Sequence, residues 1–273
     1  MGLLASLRAW VARYPVLIFY GLTFGLEFGL VGALIALGLG LPPLVVAVFV
    51  FLPTIVAVLL TAIEGGWPGL RALLAKFGEW RVGIRWYLFA LFSTAAMALV
   101  SMSMYAVAGG SVAPAQWVTL SGLLMTAIGG PLGEEAGWRG YVLPRLQPRV
   151  GALTASLIIG VLWGAVWHLP LFLSGGYSVP FGWYVLLCVA WSVLFTWVYN
   201  HTQGSLLIAV LYHWAIDVSL MRVWPIDAAW LPALTIVTCV VALVVVGLFG
   251  PRRLARGGDD GTPLETAPRP IGS

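Results

Sequence analysis

The stretch Gly133-Glu134-Glu135-Ala136-Gly137-Trp138-Arg139-Gly140-Tyr141 places two adjacent carboxylates and an arginine in a chain that is otherwise poor in charge. On a helix, Glu135 and Arg139 lie four residues apart on one face, and this spacing predicts an ion pair. Glu134 lies about 100° further round the helix and is free to face another group. We therefore interpret the rest of the chain as a scaffold for a buried polar site.

The composition predicts an all-α polytopic membrane protein. Of 273 residues, 61% are hydrophobic and 9% are charged, whereas a soluble domain carries about 25% charged residues. The mean hydropathy is +0.99. The apolar runs are long and unbroken, which favours helices over an alternating outer-membrane barrel. The net charge of +4 comes mostly from arginines in loops and tail, so it indicates membrane orientation and not nucleic-acid binding.

Eight apolar segments are long enough to span a bilayer. They run from Val16 to Leu39, from Leu44 to Ala62 after the Pro42-Pro43 break, from Tyr87 to Val107, from Val118 into the paired glutamates, from Ala152 to Leu173, from Trp183 to Tyr199, from Ser205 to Met221 and from Trp230 to Phe249. Gly129-Gly130-Pro131 should break the fourth segment, so that a helix begins near Leu132.

We expect one membrane domain over residues 1–250. Residues 67–82 have an apolar and a basic face and are predicted to form an interfacial helix. Residues 251–273 are rich in Gly, Pro and charge and are predicted to be a disordered tail.

The charges of the loops predict that both termini are cytoplasmic. With eight spans, every basic cluster falls on one side of the membrane, the side that the positive-inside rule makes cytoplasmic. These clusters contain Arg8, Arg13, Arg71, Lys76, Arg81, Arg85, Arg145, Arg149, Arg252, Arg253 and Arg256. We expect an integral protein of a bacterial cell membrane.

Further polar residues lie at membrane depth in two later segments. His168 is either a site residue or an interfacial histidine within a tryptophan belt. His213 is followed four residues later by Asp217, which could orient the imidazole and set its tautomer, although a satisfied polar pair between helices is the alternative. Glu27 is another intramembrane acid, but it has no partner at helical spacing and is placed outside the site.

These residue types permit two kinds of amide hydrolysis. A carboxylate that faces water can act as a general base, and imidazoles can donate hydrogen bonds to a carbonyl oxygen that gains charge. Glu134, His168 and His213 could instead hold a zinc ion with water in its open position. The sequence leaves both possibilities open, and it contains no His-Glu-x-x-His helix of the common zinc-protease kind.

Glu134-Glu135-x-x-x-Arg139, His168 and His213-x-x-x-Asp217 resemble the three motifs of the CPBP intramembrane proteases, which include CAAX prenyl endopeptidases and bacterial Abi-type proteins. The resemblance implies that Glu134 is the water-activating base, supported by Glu135 and Arg139. It also implies that His168 and His213 line the site and that Asp217 fills the Asn/Asp position. One departure is Gly164, where the family usually has an aromatic residue; here the aromatic is Trp163.

The favoured hypothesis is an intramembrane endopeptidase acting on membrane proteins or lipid-anchored peptides in or near the bilayer. For a bacterial chain, a prenylated CAAX protein is not the expected substrate. A proton-coupled transporter that uses the same residues as a relay is an alternative. A non-catalytic membrane scaffold or immunity protein is another.

Overall fold

The computed structural model describes residues 2–38 and 48–255, and these residues form helices and loops without a strand. The helices are α1 Leu3–Arg13, α2 Pro15–Ala36, α3 Leu52–Ala75, α4 Ile84–Val107, α5 Leu120–Ile128, α6 Gly130–Glu135, α7 Leu143–Val150, α8 Ala152–Val161, α9 Leu169–Leu173, α10 Phe181–His201, α11 Leu206–Asp217 and α12 Leu231–Phe249. The all-α fold predicted from composition is confirmed. The predicted Pro42-Pro43 break, the start of the second span and the tail from residue 256 lie outside the described residues.

Seven helices in the described part of the chain are long and apolar enough to cross a membrane, one fewer than the eight predicted. The difference lies in the fourth predicted segment. It is divided at Gly129, whose φ of −64° and ψ of −124° end α5. Pro131 lies in the first turn of α6, where a proline needs no N–H partner. The break itself was predicted, although the new helix begins at Gly130, two residues before the expected position.

Gly66 separates the membrane-spanning part of α3 from the predicted interfacial helix. Its φ of +57° and ψ of −148° kink the helix in a conformation that suits glycine. The segment after the kink is helical from Trp67 to Ala75 and ends in a 3₁₀ turn over Lys76–Gly78. A helix is therefore present over part of residues 67–82, and its position at the membrane interface stays a prediction.

Two terminal segments differ from expectation. Helix α1 was not predicted; its Val11 is buried, and the helix packs against α3. Residues 251–255, predicted to be disordered, pack against the start of α8 instead. The carbonyl groups of Pro251 and Arg252 accept hydrogen bonds from the N–H groups of Leu153 and Ala152, each at 2.9 Å, and Leu254 is fully buried.

The helix that carries the paired glutamates packs directly on α3 through glycines. We call residues 130–150, which comprise α6, a π-helical segment and α7, the site helix. A Cβ atom added to Gly137 would lie 2.6 Å from Cβ of Pro53 and 2.8 Å from its carbonyl oxygen. A Cβ on Gly140 would lie 2.8 Å from Cδ1 of Leu73. Small residues thus allow the two helices to approach closely, as is common between membrane helices.

Substitution of Gly137 by alanine should destabilise the protein, because the added methyl group meets the backbone of Pro53, which cannot rotate away. We expect a loss of about 1–3 kcal/mol, typical of overpacking. Gly25→Ala is the matched control, since a Cβ at Gly25 has no neighbour within 4 Å. Thermal unfolding of both variants in detergent checks this, and equal midpoints would contradict the packing described.

Candidate active site

Three π-helical segments adjoin the predicted site residues. The segment Ala136–Val142 directly follows Glu135, Leu162–Trp167 directly precedes His168, and Val218–Val223 directly follows Asp217. A π-helical turn changes the direction of the side chains around it and is frequent at functional sites. Because of these segments, the neighbouring side chains point in directions that differ from those in a regular α-helix.

Glu135 connects two helices through one carboxylate oxygen. Its Oε1 accepts a hydrogen bond from Nη1 of Arg139 at 2.8 Å and another from Nδ1 of His213 at 2.7 Å. All three side chains are buried. The Arg139 guanidinium also lies over the ring of Phe195, 3.8 Å from its centroid. The predicted Glu135–Arg139 ion pair is confirmed, and it holds the site helix to α11 through His213.

Asp217 lies within ion-pairing range of His213, as the i, i+4 spacing predicted, but it makes no hydrogen bond to the ring. Its Oδ1 lies 3.8 Å from Nε2 of His213, which is beyond hydrogen-bonding distance. The group that does orient the ring is Glu135, from a different helix, because it accepts the Nδ1–H. The Nε2 atom of His213 is consequently left to face Asp217 and the space beside it.

Glu134 is held by two tryptophans. Its Oε2 accepts a hydrogen bond from Nε1 of Trp138 at 3.0 Å and another from Nε1 of Trp163 at 2.7 Å. Its Oε1 makes no hydrogen bond to the residues that the structure describes, and the side chain keeps 5% of its surface exposed. One oxygen of this carboxylate is thus fixed, and the other is available to a solvent molecule or a substrate.

The free oxygen of Glu134 faces the same point as groups of α11. A Cβ atom built on Gly130 would lie 3.5 Å from Oε1 of Glu134, 3.2 Å from Nε2 of His213 and 3.2 Å from Oδ2 of Asp217. Three polar atoms from two helices therefore converge beside a residue that has no side chain. The absence of a Cβ at Gly130 leaves room there for a small reacting group.

His168 lies against the aromatic side of the site. Its Nδ1 is 2.7 Å from the carbonyl oxygen of Trp163; since a carbonyl can only accept, Nδ1 carries a proton and donates it. The centroid of its ring is 5.7 Å from that of Trp163 and 5.1 Å from that of Tyr184. Trp163 is thus in contact with both His168 and Glu134.

Trp138, Trp163 and Gly130 are site residues that were not predicted. Tryptophans in a membrane protein are most often belt or core residues, so their roles as hydrogen-bond donors were not evident from composition. A signal existed for Trp138, which lies four residues after Glu134 and hence on its helical face. Trp163 comes from a distant segment, and no local spacing relates it to Glu134.

The packing around Gly164 explains why the aromatic residue that the family usually has at this position is found one residue earlier, at Trp163. A Cβ atom on Gly164 would lie 2.7 Å from Cβ of Cys188 and 3.2 Å from Cα of Val185, because α10 packs directly against this glycine. An aromatic side chain has no space at this position. Trp163, one residue earlier, points to Glu134 instead.

The described residues do not fit the three-ligand zinc site that Glu134, His168 and His213 could have formed. Within residues 2–38 and 48–255, no three His, Cys, Asp or Glu side chains are arranged so that they could hold a metal ion. Oε2 of Glu134 instead accepts the two indole N–H groups. The chemistry proposed below therefore uses side chains and water.

Comparison with known proteins finds similarity over the part of the chain that contains the site. Residues 115–219 match the family described as type II CAAX prenyl endopeptidase Rce1-like. The predicted family resemblance is confirmed. The Rce1-like segment contains all six predicted site residues, from Glu134 to Asp217. The chain is also 29% identical over 128 residues to a CAAX prenyl protease 2 of Methanococcus maripaludis. This match covers 44% of the chain and 46% of that relative, so the chain spans about half the relative's length.

Removal of the Glu135 carboxylate should destabilise the protein strongly, because Arg139 would remain buried without its anionic partner. We expect Glu135→Ala to cost about 3–5 kcal/mol, as for other broken buried ion pairs. Glu134→Gln, which removes no ion pair, serves as the control. Chemical denaturation in detergent measures both, and a Glu135→Ala variant as stable as the wild type would show that this carboxylate does not hold the fold.

Proposed function

We propose that this protein is an intramembrane endopeptidase in which Glu134 activates a water molecule for attack on a peptide bond. The observation that carries the proposal is that the two carboxylate oxygens of Glu134 have different surroundings. Oε2 is fixed by two indole N–H groups, whereas Oε1 has no hydrogen-bond partner among residues 2–38 and 48–255 and faces Nε2 of His213 and Oδ2 of Asp217 across Gly130. A general base needs this combination of fixed orientation and an available lone pair.

The reaction proceeds by direct attack of water. Glu134 Oε1 takes a proton from a water molecule as its oxygen forms a bond to the peptide carbonyl carbon. The C–N bond then breaks, and the proton held by Glu134 passes to the leaving nitrogen. The products are a carboxylic acid and an amine, so atoms and charge balance without a serine or cysteine nucleophile.

His213 is the residue best placed to stabilise the carbonyl oxygen as it becomes negative. Its Nδ1–H is already engaged with Glu135, which fixes the ring, so an imidazolium form presents Nε2–H to the reacting group. His168 lines the opposite, aromatic side beside Trp163 and Tyr184. In this proposal Glu135 and Arg139 position His213, and the two tryptophans position Glu134.

The substrate class follows from the location and from the relative. The site is buried, and two of the helices that form it are candidate membrane spans, Ala152–Leu173 and Leu206–Val223, which favours a peptide that reaches it from the membrane. The relative's name, CAAX prenyl protease 2, makes a prenylated CAAX peptide the first substrate to test. The alternatives, a transporter and a non-catalytic scaffold, have no comparable support. The basic loop clusters support cytoplasmic location of both termini, an arrangement in which the broken fourth segment also crosses the bilayer.

Cleavage should be lost when Glu134 is replaced by glutamine, which keeps the shape of the side chain but cannot accept the water's proton. We expect a loss of at least about a hundredfold, within the usual range for a general base. Purified wild type, Glu134→Gln and the exposed-site control Glu79→Gln would be assayed with prenylated CAAX and unprenylated transmembrane peptides. Addition of a chelator should not change the wild-type rate. Cleavage that survives in Glu134→Gln, or that a chelator abolishes, would contradict the proposed chemistry.

A methyl group placed at the point of convergence should also stop the reaction. Gly130→Ala puts a carbon atom 3.2 to 3.5 Å from the three polar atoms, where the attacking water would lie. We expect a folded protein with little or no cleavage. Gly29→Ala is the control, as a Cβ at Gly29 has no neighbour within 4 Å. A Gly130→Ala variant with wild-type turnover would place the reacting water elsewhere.

A further inference from the structure

Glu27, in α2, is a fully buried acid that the proposed chemistry does not use. Its exposed fraction is 0%, and neither carboxylate oxygen has a hydrogen-bond partner among the residues that the structure describes. An unpartnered polar group in a protein interior is costly, and an unpaired charge is far more costly. Such a residue is rarely retained for packing alone, because an apolar side chain of similar size would be more stable.

Glu27 continues a polar face of α2. Tyr20 and Thr23 precede it by seven and four residues, so the three side chains lie on one side of the helix. The hydroxyl groups of Tyr20 and Thr23 are also buried without a partner among the described residues. The face therefore carries four unpartnered polar atoms, two of them on Glu27, where a membrane helix packed into a protein would usually present apolar groups.

This face of α2 is turned toward the site helix. The ring of Tyr20 stacks on Trp138 with 6.0 Å between centroids, and Trp138 is the residue that donates to Glu134. The ring of Phe24, three residues before Glu27, also lies beside Trp138, with 6.4 Å between the centroids.

Glu27 and Glu134 have different surroundings, and this difference indicates which of the two carboxyl groups carries a proton. Glu134 accepts two indole hydrogen bonds, which stabilise a negative charge. Glu27 accepts none from the described residues, and its helix packs against Trp138, which holds Glu134. Two neighbouring carboxyl groups in a poorly solvated interior do not both ionise readily. The proton therefore belongs on Glu27 and the negative charge on Glu134.

We propose that Glu27 is a positioning residue of the active site: a neutral carboxylic acid that keeps Glu134 as the single anion and holds internal water toward it, with Thr23 and Tyr20. The proposal rests on the function proposed above for Glu134. Glu27 keeps its proton throughout the reaction, so the transfer from water to Glu134 and on to the leaving nitrogen is unchanged. Its O–H group and those of Thr23 and Tyr20 provide hydrogen bonds for the water that reaches the base.

Infrared spectroscopy tests the protonation state without any need for activity. A neutral carboxylic acid has a carbonyl stretch well separated from the carboxylate bands, and it can be recorded on protein purified in an ester-free detergent. We expect this band in the wild type and in Glu134→Gln, and its loss in Glu27→Gln. A band that persists in Glu27→Gln, or one that disappears in Glu134→Gln, overturns the proposal, and neither result depends on whether the protein cleaves peptides.

Turnover and stability together test the positioning role. Glu27→Gln keeps a neutral hydrogen-bonding group and should retain most of the wild-type turnover. Glu27→Leu removes it and should lower turnover about tenfold or more, while its stability is unchanged or higher, because an unpartnered buried polar group has been removed. Equal turnover of Glu27→Leu and wild type would show that Glu27 does not serve the site, as would a Glu27→Gln variant as impaired as Glu27→Leu.

Discussion

The interaction on which the site depends is the buried carboxylate of Glu135, shared between Arg139 and His213. A charged group buried among apolar helices is stable only with partners, and Glu135 has one from its own helix and one from α11. This shared oxygen sets the rotation of the site helix relative to α11. It also sets the direction of the His213 ring, because the Nδ1–H is committed to Glu135 and Nε2 must face the other way. Glu134, the next residue along the helix, is thereby turned toward the space beside His213.

Close helix packing completes the arrangement. Gly137 and Gly140 bring the site helix against α3, and Gly164 brings the segment before His168 against α10. The π-helical segments next to Glu135, His168 and Asp217 adjust the directions of neighbouring side chains. As a result, Trp163 reaches Glu134 from a different span and fixes one carboxylate oxygen. The site is thus assembled from three parts of the chain that have few polar residues apart from those they bring to it.

Much of the fold was predictable because it depends on local properties of the chain. Apolar length located seven of the eight predicted spans, Gly129 and Pro131 indicated the break before the glutamates, and the four-residue spacing predicted the Glu135–Arg139 pair. The same rule correctly placed Asp217 near His213, with 3.8 Å between Oδ1 and Nε2, but it did not identify the hydrogen-bond partner of the ring. That partner is Glu135 from another helix, which accepts the Nδ1–H, and nothing in the local spacing indicates it.

The other differences also arise from long-range contacts. Three of these differences depend on which helices become neighbours. They are the indole donors to Glu134, the packing of residues 251–255 and the position of Glu27 on a helix beside the site. Composition assigns tryptophans to the membrane belt and a Gly- and Pro-rich tail to disorder, and both assignments are reasonable averages. These assignments fail where a buried polar group has a specific hydrogen-bond partner, or where a segment near the chain end packs against a helix.

The central claim is that water, activated by Glu134, attacks the peptide bond directly. The most direct test is to add hydroxylamine to a cleavage reaction of the wild type and to identify the new end of the peptide by mass spectrometry. Direct attack by water predicts a carboxylic acid alone, at every hydroxylamine concentration. A peptide hydroxamate, which forms when an acyl group attached to the enzyme is intercepted, would contradict the account.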